Sequence, residues 1–349
     1  MKKVAFFVNS LERGGAERVT VRLAEYFYRN GIQCYVITNR TGNNEYPVPD
    51  GVERFSLSTK KSVLNSLKLR RLLKQLSPNA VAVMGTSESI IAVPGSLGLK
   101  TKLVISERND PKNYLGNKLV IGVSRWLMRF ADDFVFQTSS AKSFYDKKLK
   151  GRGRIIFNPI VASDLPDPWT GERVKKFVTA GRLEPQKNQK LLIEAFSEIS
   201  SQNPDFQLNI YGSGSLKEEL ESEISKRNMN EKIFLCGNQP NVLSLIRDAY
   251  AFILPSDFEG MPNALIEAMA VGLPCISTDC PCGGPAALIK NKENGILIPV
   301  NDKDAMVNAM QYVIDNTEIA KKYGEQAYKI RDMLDISNIG KEWEAVLLE

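Results

Sequence analysis

Two glutamates beside an apolar stretch are the residues of this sequence best suited to chemistry. Glu259 is the first and Glu267 the last residue of EGMPNALIE, residues 259–267. The residues around Glu267 are apolar on almost every side of a helix, and this pattern predicts a buried helix. Proline favours the first turn of a helix and glycine its end, so the helix is predicted from Pro262 to near Gly272. A buried carboxylate is costly without a partner. Glu267 is therefore expected to bind a protein group or a ligand.

The spacing of the two carboxylates fits a ligand with hydroxyls on both sides of a diphosphate. Glu259 lies in the loop before the predicted helix and Glu267 about five residues inside it, a separation of order 7–10 Å along the axis. The backbone amides of the first turn lie between them and favour phosphate. A nucleotide-diphosphate sugar has this layout of ribose, two phosphates and hexose. A buried salt bridge next to an ordinary capping acid explains the pair equally well.

Two cations follow a different predicted strand. Arg182 and Lys187 lie in GRLEPQKN, residues 181–188, between a buried strand and the next helix. Cations at the carboxyl end of a strand create a site for a diphosphate or for a negative charge that develops during a reaction. A solvated basic loop is the alternative interpretation of this segment.

Glycines also follow two of the predicted strands. ERGGAE, residues 12–17, and YGSGSL, residues 211–216, have glycines that allow a ligand to approach the backbone closely. Neither segment contains G-x-G-x-x-G, so the standard dinucleotide fingerprint is not supported. Each segment could instead be a turn that needs glycine for structural reasons alone.

Several classes of catalysis and of location are excluded by composition. The 349 residues include no histidine, which excludes Ser-His-Asp and Cys-His catalysis, HExxH zinc sites and histidine bases. The opening apolar run, Val4 to Val8, predicts a buried strand because it is too short for a signal peptide. No run of eighteen apolar residues is present, so no membrane span is predicted. We therefore expect a cytoplasmic protein.

The cysteines agree with a reducing compartment. Their odd number, five, and the absence of a predicted secretion signal indicate reduced thiols. Three of them cluster near residue 280 but lack C-x2-C spacing and a fourth ligand nearby, which favours buried packing over a metal site. The five are Cys34, Cys236, Cys275, Cys280 and Cys282.

Charge is distributed unequally between the two halves of the chain. Residues 1–160 contain 27 Lys and Arg against 12 Asp and Glu, whereas residues 161–349 contain 19 against 28. Opposite signs indicate two domains with different partners, and the partner of the first is anionic. No recognised nucleic-acid motif is present, and phosphates or an anionic membrane surface fit the pattern.

Strand-like and helix-like segments alternate through both halves. KVAFFVNS, QCYVITN, AVAVMG, KLVISE and DFVFQTS are short apolar runs in the first half, and KKFVTAG, FQLNIYG, KIFLCG, YAFILPS, PCISTD and GILIPV follow in the second. Continuously apolar strands between helices predict parallel sheets covered on both faces. Prolines and a glycine accumulate between the halves, which predicts a linker at 161–173 between domains 1–160 and 174–330. The fold class is α/β, with two doubly wound domains.

Several of these segments resemble motifs of a known family. DFEGMPNALIEAMAVGLPCISTD resembles the E-x7-E signature of the retaining family 4 glycosyltransferases, and GGAER, NPI (158–160) and GRLEPQKN resemble further motifs of that family. The resemblance covers nearly the whole chain. It implies the GT-B fold, in which two Rossmann-like domains face a cleft and a final helix, here 331–349, crosses back to the first domain. Enzymes that extend undecaprenyl-diphosphate-linked oligosaccharides resemble this sequence most.

The resemblance also implies roles for individual residues. Glu267 would bind the donor ribose and Glu259 the donor sugar, while Arg182 and Lys187 would neutralise the leaving diphosphate in place of a metal. Glu259, Arg182 and Lys187 would be the catalytic residues. The other donor-binding residues implied are Gly15, Gln239, Gly260, Met261, Pro262, Asn263 and Leu265.

The implied activity is metal-independent retaining transfer of a hexose or N-acetylhexosamine from a nucleotide-diphosphate sugar, most simply UDP-linked. The acceptor hydroxyl would attack the face that the diphosphate leaves, and the leaving phosphate would help take the proton, so no protein base is required. A lipid-linked glycan is the expected acceptor, in polysaccharide or oligosaccharide biosynthesis. The alternatives are a catalytically silent sugar-nucleotide-binding protein and a sugar-nucleotide epimerase.

One position departs from the family pattern. Many relatives carry a histidine in the segment that matches ISERNDP, residues 105–111, where this chain has Arg108 preceded by Glu107. Arginine does not act as a base, but it can bind an anionic group or donate to a sugar hydroxyl. We expect Arg108 to contact the acceptor or an anion.

A basic segment of the first half is a candidate for the acceptor or for a lipid surface. KKSVLNSLKLRRLLKQL, residues 60–76, contains six basic residues and no acid, with apolar residues at roughly helical spacing. A solvated face over a core stripe is one interpretation. The other is that Lys68, Arg70, Arg71 and Lys74, with Lys60 and Lys61, meet anionic lipid or the acceptor's diphosphate on the inner face of the cell membrane.

Overall fold

The chain divides into two compact units. The computed structural model describes residues 1–12, 14–58, 62–113 and 117–349, with Ser62 described for its backbone only. The first unit comprises Met1–Val161 together with Leu334–Glu349, and the second comprises Ala162–Met333.

Most of the segment predicted as a linker, 161–173, lies in the second unit. Arg331 donates from Nη2 to the carbonyl oxygens of Ala162 and Leu165, at 2.7 and 3.1 Å. Arg173 donates from Nη1 to the carbonyl oxygen of Ala249, at 3.0 Å. These bonds satisfy backbone acceptors and hold residues 162–173 against the elements of their own unit.

The first unit is built on a parallel sheet with strand order β3-β2-β1-β4-β5-β6-β7. Its central strands are apolar runs that are almost wholly buried, as helices on both faces of a parallel sheet require. The strands are β1 Lys3–Val8, β2 Gln33–Thr38, β3 Glu53–Ser56, β4 Ala80–Met84, β5 Lys102–Ser106, β6 Asp133–Phe136 and β7 Arg154–Ile155. The helices between them are α1 Gly15–Arg29, α2 Ser62–Leu76, α3 Ser89–Ser96, α4 Lys118–Leu127 with a 3₁₀ turn Met128–Phe130, and α5 Ser139–Leu149.

The second unit repeats this plan with strand order β10-β9-β8-β11-β12-β13, again parallel. Its strands are β8 Val174–Ala180, β9 Gln207–Tyr211, β10 Ile233–Gly237, β11 Ala249–Leu254, β12 Cys275–Thr278 and β13 Ile296–Ile298. Its helices are α6 Gln189–Ile199, α7 Lys217–Lys226, α8 Val242–Ile246, α9 Asn263–Ala270, α10 Gly284–Leu288, α11 Lys303–Asp315, α12 Thr317–Tyr328 and α13 Ile330–Met333.

The last helix, α14 Ile336–Leu348, belongs to the first unit. Its Trp343 is fully buried and meets Phe6 of β1 edge to face, with ring centroids 6.4 Å apart. A Cβ at Gly340 would lie 2.4 Å from the ring of Tyr26 on α1, so the close approach of α14 to α1 requires glycine there. The predicted fold class is therefore confirmed, including the return of the final helix.

Helix α2 does not bury the whole apolar stripe that its sequence predicts. The apolar residues of its first turns are exposed: Val63, Leu64 and Leu67. Asn65 is buried instead and donates to Asn39 Oδ1 at 2.6 Å. Farther along, Leu69 packs on α3, where a Cβ at Gly95 would lie 3.0 Å from Leu69 Cδ2. A small residue and a buried amide thus set the orientation of α2. The predicted cations Lys60 and Lys61 lie outside the described residues.

In the part of the chain that the structure describes, no helix combines the length and the apolar character needed to cross a membrane.

Candidate active site

The predicted site residues of the second unit meet at the carboxyl edge of its sheet. Strands β8 and β11 pair in parallel, so the loops that follow them, 181–188 and 255–262, begin side by side. Ligands of doubly wound sheets bind at this edge.

Hydrogen bonds between the two loops fix their relative positions. The Asp257 N–H donates to the carbonyl oxygen of Gln186 at 2.9 Å, and Gln186 Nε2 donates to the carbonyl oxygen of Phe258 at 2.8 Å. Asn188 Nδ2 donates to Asp257 Oδ1 at 2.6 Å, although burial raises the pKa of that carboxyl. Sequence analysis missed Gln186, Asn188 and Asp257, because nothing in the sequence pairs positions about seventy residues apart.

Lys187 and Glu259 form an ion pair in this arrangement. Lys187 Nζ lies 2.5 Å from Glu259 Oε1, and their side chains are only 17% and 8% exposed. Ser256 Oγ donates to the same carboxylate oxygen at 2.8 Å. A buried carboxylate needs such compensation. The ammonium and the carboxylate are thus held rigidly at the mouth of the site.

Helix α9 follows the loop that carries Glu259. It begins one residue later than predicted, because Pro262 has extended backbone angles, φ −78° and ψ 102°, and occupies the N-cap. Gly260 and Met261 are buried before it, and Asn263 is partly buried at its first position. Leu265 is fully buried, and Glu267 lies buried at the fifth position of the helix, as its spacing predicted.

Glycines allow neighbouring backbone segments to approach the two loops of the site closely. A Cβ at Gly284, at the start of α10, would lie 1.7 Å from the carbonyl oxygen of Gly260. Gly212 has φ +134°, and a Cβ there would lie 1.8 Å from the carbonyl oxygen of Gly181. A Cβ at Gly214 would likewise lie 2.3 Å from the carbonyl oxygen of Leu183. These glycines of YGSGSL therefore serve the packing of the 181–188 loop.

Two of the predicted donor residues are exposed in the second unit. The backbone of Arg182 is fixed, since its carbonyl oxygen accepts from Gln189 Nε2 at 2.8 Å and from the Glu184 N–H at 3.0 Å. Among the described residues, its guanidinium has no hydrogen-bond partner. Gln239 lies after β10 and donates from Nε2 to the carbonyl oxygen of Cys236 at 3.0 Å.

The clustered cysteines pack beside the site. Cys275, Cys280 and Cys282 are buried, and Cys280 Sγ lies 3.3 Å from the carbonyl oxygen of Ser256. Burial raises the pKa of Cys280 to about 12, so it stays a neutral thiol. Its contact with Ser256 supports the loop that carries Glu259.

In the first unit, Arg108 lies in a buried polar cluster at the carboxyl end of β5. Its Nη2 donates to Asn158 Oδ1 at 2.6 Å, while Nε and Nη1 have no hydrogen-bond partner among the described residues. Burial lowers the pKa of Arg108 to about 10. Glu107 Oε2 accepts from Thr86 Oγ1 at 2.8 Å and from Tyr145 at 2.7 Å. Thr86 and Tyr145 were not predicted from the sequence, and Asn158 was noted only as the first residue of NPI.

The remaining predicted residues of the first unit lie on α1 and α2. Gly15 is exposed at the first position of α1, next to Gly14. On α2, Lys68 Nζ donates to the carbonyl oxygen of Leu57 at 2.9 Å and Arg70 Nη1 to that of Leu97 at 2.6 Å. Arg71 and Lys74 are exposed. Two of the four predicted cations therefore hold backbone carbonyls of their own unit.

One sheet edge of the second unit thus joins Lys187, the buried Glu259 and Glu267 and the N-terminus of α9. Sequence profiles identify the class of protein. The profile described as Glycosyltransferase Family 4 matches residues 13–163, and the profile described as Glycosyl transferases group 1 matches residues 168–330. The chain belongs to these glycosyltransferases, which adopt the GT-B fold.

Individual relatives span the whole chain. An uncharacterized glycosyltransferase of Haemophilus influenzae is 26% identical, over 99% of this chain and 100% of that protein. A Campylobacter jejuni α-1,4-N-acetyl-D-galactosaminyltransferase, named for a diphosphoundecaprenol-linked glycan, is 27% identical over 100% of this chain and 99% of that protein. The crystal structure of Anabaena HepE with UDP and glucose has a TM-score of 0.83 at 17% identity, covering 99% of both chains.

Proposed function

We propose that this glycosyltransferase moves a hexose or N-acetylhexosamine from a UDP-sugar to a lipid-linked glycan, with retention of configuration and without a metal ion. The observation that carries the proposal is the Lys187–Glu259 pair, held beside the N-terminus of α9 at the carboxyl edge of the sheet. The UDP bound to the Anabaena protein supports the choice of donor, and the Campylobacter relative supports the acceptor class.

The leaving diphosphate is stabilised by fixed positive charge in this mechanism. Lys187 Nζ lies 2.5 Å from Glu259 Oε1, so its ammonium is held in place as charge develops on the phosphate. The exposed guanidinium of Arg182 is free to form a bidentate contact with the same diphosphate. Two cations in these positions take the part that a divalent metal plays in other enzymes.

The reaction needs no protein base. The bond between the sugar's anomeric carbon and the β-phosphate oxygen breaks while the acceptor oxygen attacks the same face. The departing phosphate oxygen takes the acceptor's proton, which suits a chain without histidine. Glu259 orients the donor sugar, and the backbone from Gly260 to Asn263 lies along the diphosphate.

Glu267→Gln is expected to weaken UDP binding about 10- to 100-fold, because a hydrogen bond to a charged group is worth about 1.5–3 kcal/mol. The substitution preserves the volume of a buried side chain, so donor affinity rather than folding should change. Isothermal titration with UDP measures the effect, and Glu325→Gln on the exposed side of α12 is the matched control. Unchanged UDP affinity in Glu267→Gln would refute the ribose role.

Arg108 and Gly15 have proposed roles in the first unit. Arg108 has a buried guanidinium whose Nε and Nη1 find no hydrogen-bond partner among the described residues, an arrangement suited to an anionic group or a sugar hydroxyl of the acceptor. Gly15 allows phosphate to approach the start of α1.

The exposed cations of α2 hold the acceptor's diphosphate or an anionic membrane surface in this proposal. Because Lys68 and Arg70 are tied to backbone carbonyls, Arg71 and Lys74 are, among the described cations of segment 60–76, the residues free to do so. We therefore propose that the enzyme works on the inner face of the cell membrane, in surface polysaccharide or oligosaccharide biosynthesis.

Arg71→Glu combined with Lys74→Glu should weaken binding to anionic vesicles about 30-fold or more, since each basic residue near such a surface is worth ~1 kcal/mol. Transfer to a lipid-linked acceptor should fall with it, whereas UDP affinity should not change. Lys321→Glu with Lys322→Glu, an exposed basic pair on α12, is the control. Vesicle binding that stays unaltered at low salt would remove this role from α2.

The alternative functions are a silent sugar-nucleotide-binding protein and a sugar-nucleotide epimerase. A single-turnover assay with radiolabelled UDP-sugars and a lipid-diphosphate-linked saccharide separates the three functions. We expect labelled saccharide. Unreacted donor would indicate the silent protein, and isomerised donor would indicate the epimerase.

A further inference from the structure

Helix α4 and the 3₁₀ turn that follows it carry their large apolar side chains on the exposed side. Leu119 is 75% exposed and Trp126 is 52% exposed, and Val123 and Phe130 are exposed as well. Their spacing of four, three and four residues places all four on one face of a helix. The opposite side buries a smaller set, Ile121, Ser124 and Met128. The helix therefore turns much of its apolar surface outward.

Such a face requires an explanation. A surface helix normally buries its apolar stripe, and a contiguous exposed patch marks a docking surface. Trp126 and Phe130 meet edge to face, with ring centroids 5.4 Å apart, so the two rings form one continuous apolar surface. Leu119 and Val123 extend it toward the start of α4, where Asn117 caps the helix by accepting from the Leu119 and Val120 N–H groups.

Basic residues lie beside the Trp126–Phe130 end of the patch. A cavity of about 760 Å³ opens beside Trp126 and Phe130, and none of the described residues that line it is acidic. Arg129 lies over the Trp126 ring, 4.8 Å from its centroid, and so keeps its charge at the rim of the patch. The cations that line the cavity are Arg125, Arg129, Lys148, Lys150 and Arg152.

The patch lies in the same helix layer as α2. The connections β3 to β4, β4 to β5 and β5 to β6 all run in one direction across the sheet, so their right-handed crossovers put α2, α3 and α4 on one face. Helix α3 packs against both of the others. This layer also exposes Val63, Leu64 and Leu67 of α2 and Leu97 after α3.

We propose that the exposed face of α4 and its 3₁₀ turn inserts into the headgroup region of an anionic bilayer, with the cations of the cavity binding lipid phosphates. Trp and Phe beside Lys and Arg is the composition of a helix that lies in a membrane interface. Charge complementarity decides the occupant. Lys148 and Lys150 are exposed, and the three arginines of the cavity add positive charge although they also donate to backbone carbonyl oxygens, so the cavity fits a surface of phosphates. The inference rests on the proposed lipid-linked acceptor for its purpose, but its test does not require transfer.

The test is flotation with vesicles of phosphatidylcholine containing phosphatidylglycerol. We compare the wild type with a variant that replaces Leu119, Val123, Trp126 and Phe130 by serine. All four residues are exposed, so folding should be retained, and thermal unfolding checks this. Vesicle binding should fall at least tenfold. Phe234→Ser with Leu245→Ser, exposed apolar residues of the second unit, should leave it unchanged.

A second readout reports insertion directly. Phospholipids brominated in the upper acyl chain should quench part of the tryptophan fluorescence of the wild type. Trp126→Phe keeps an aromatic ring in the patch, so it should retain vesicle binding and lose that quenching. Quenching that persists in Trp126→Phe would overturn the insertion of α4, since the signal would then come from Trp169 or Trp343.

Other outcomes are equally decisive. Equal vesicle binding by the serine variant and the wild type would overturn the proposal. The proposal would also be overturned if the wild type did not bind vesicles but formed a dimer that the serine substitutions abolish. A second copy of the chain would then cover the patch. The serine variant should keep its rate with a water-soluble acceptor. Absence of transfer by the wild type would count against the proposed function and leave the vesicle result standing.

Discussion

Replacing Lys187 by alanine is expected to slow sugar transfer about 10²–10³-fold at saturating donor, the usual cost of losing a charge that stabilises a transition state. Binding of UDP should weaken less than turnover, because the interaction strengthens as the diphosphate leaves. Single-turnover measurements with chelator present give the rate. Lys190→Ala, an exposed lysine three residues along the chain on α6, is the control and should keep the wild-type rate.

Part of the effect of Lys187→Ala comes from its partner, since Glu259 would remain buried without its cation. The double variant Lys187→Ala with Glu259→Gln separates the two contributions, because residues in contact do not act additively. If Lys187→Ala transfers sugar at the wild-type rate with chelator present, Lys187 does not stabilise the leaving group.

Replacing Arg182 by alanine should also cost about 10²–10³-fold in turnover. Turnover should fall without a loss of stability, because the Arg182 guanidinium is exposed and makes no hydrogen bond among the described residues. The backbone of Arg182 is held through its carbonyl oxygen, which alanine retains. Arg182→Lys should recover part of the rate, since it restores the charge but not the bidentate fork.

Thermal unfolding and single-turnover rates, measured on the same preparations, check the Arg182 prediction. A fall in melting temperature that accompanies the slower rate would point to a structural role for Arg182. A rate within about threefold of the wild type would assign the diphosphate contact to other groups.

The sequence predicted the fold well where local signals were strong. Runs such as Lys3–Val8 and Ala249–Leu254 are continuously apolar and became buried parallel strands. The helix around Glu267 has proline at its start and glycine after its end, and its observed bounds differ from the prediction by one or two residues. The edge strands β3 and β7 were not predicted, because they are short and lack an apolar run.

Long-range contacts were beyond sequence reasoning. The spacing predicted one ligand for Glu259 and Glu267 and a phosphate for Lys187, and both stay predictions. It did not predict the ion pair between Lys187 and Glu259. The stripe predicted for α2 was wrong in its first turns, because a buried Asn65 and the small Gly95 opposite decide the orientation of the helix. In both cases the deciding partner is distant in sequence.

The anomeric configuration of the product is the sharpest test of retaining transfer from a UDP-sugar without a metal ion. We would incubate the enzyme with α-linked UDP-N-acetylgalactosamine, UDP-galactose or UDP-N-acetylglucosamine, a lipid-diphosphate-linked saccharide and excess chelator, and determine the new linkage by NMR. We expect an α-linkage formed at the same rate with and without chelator. A β-linkage, or transfer only after a divalent metal is restored, would contradict it.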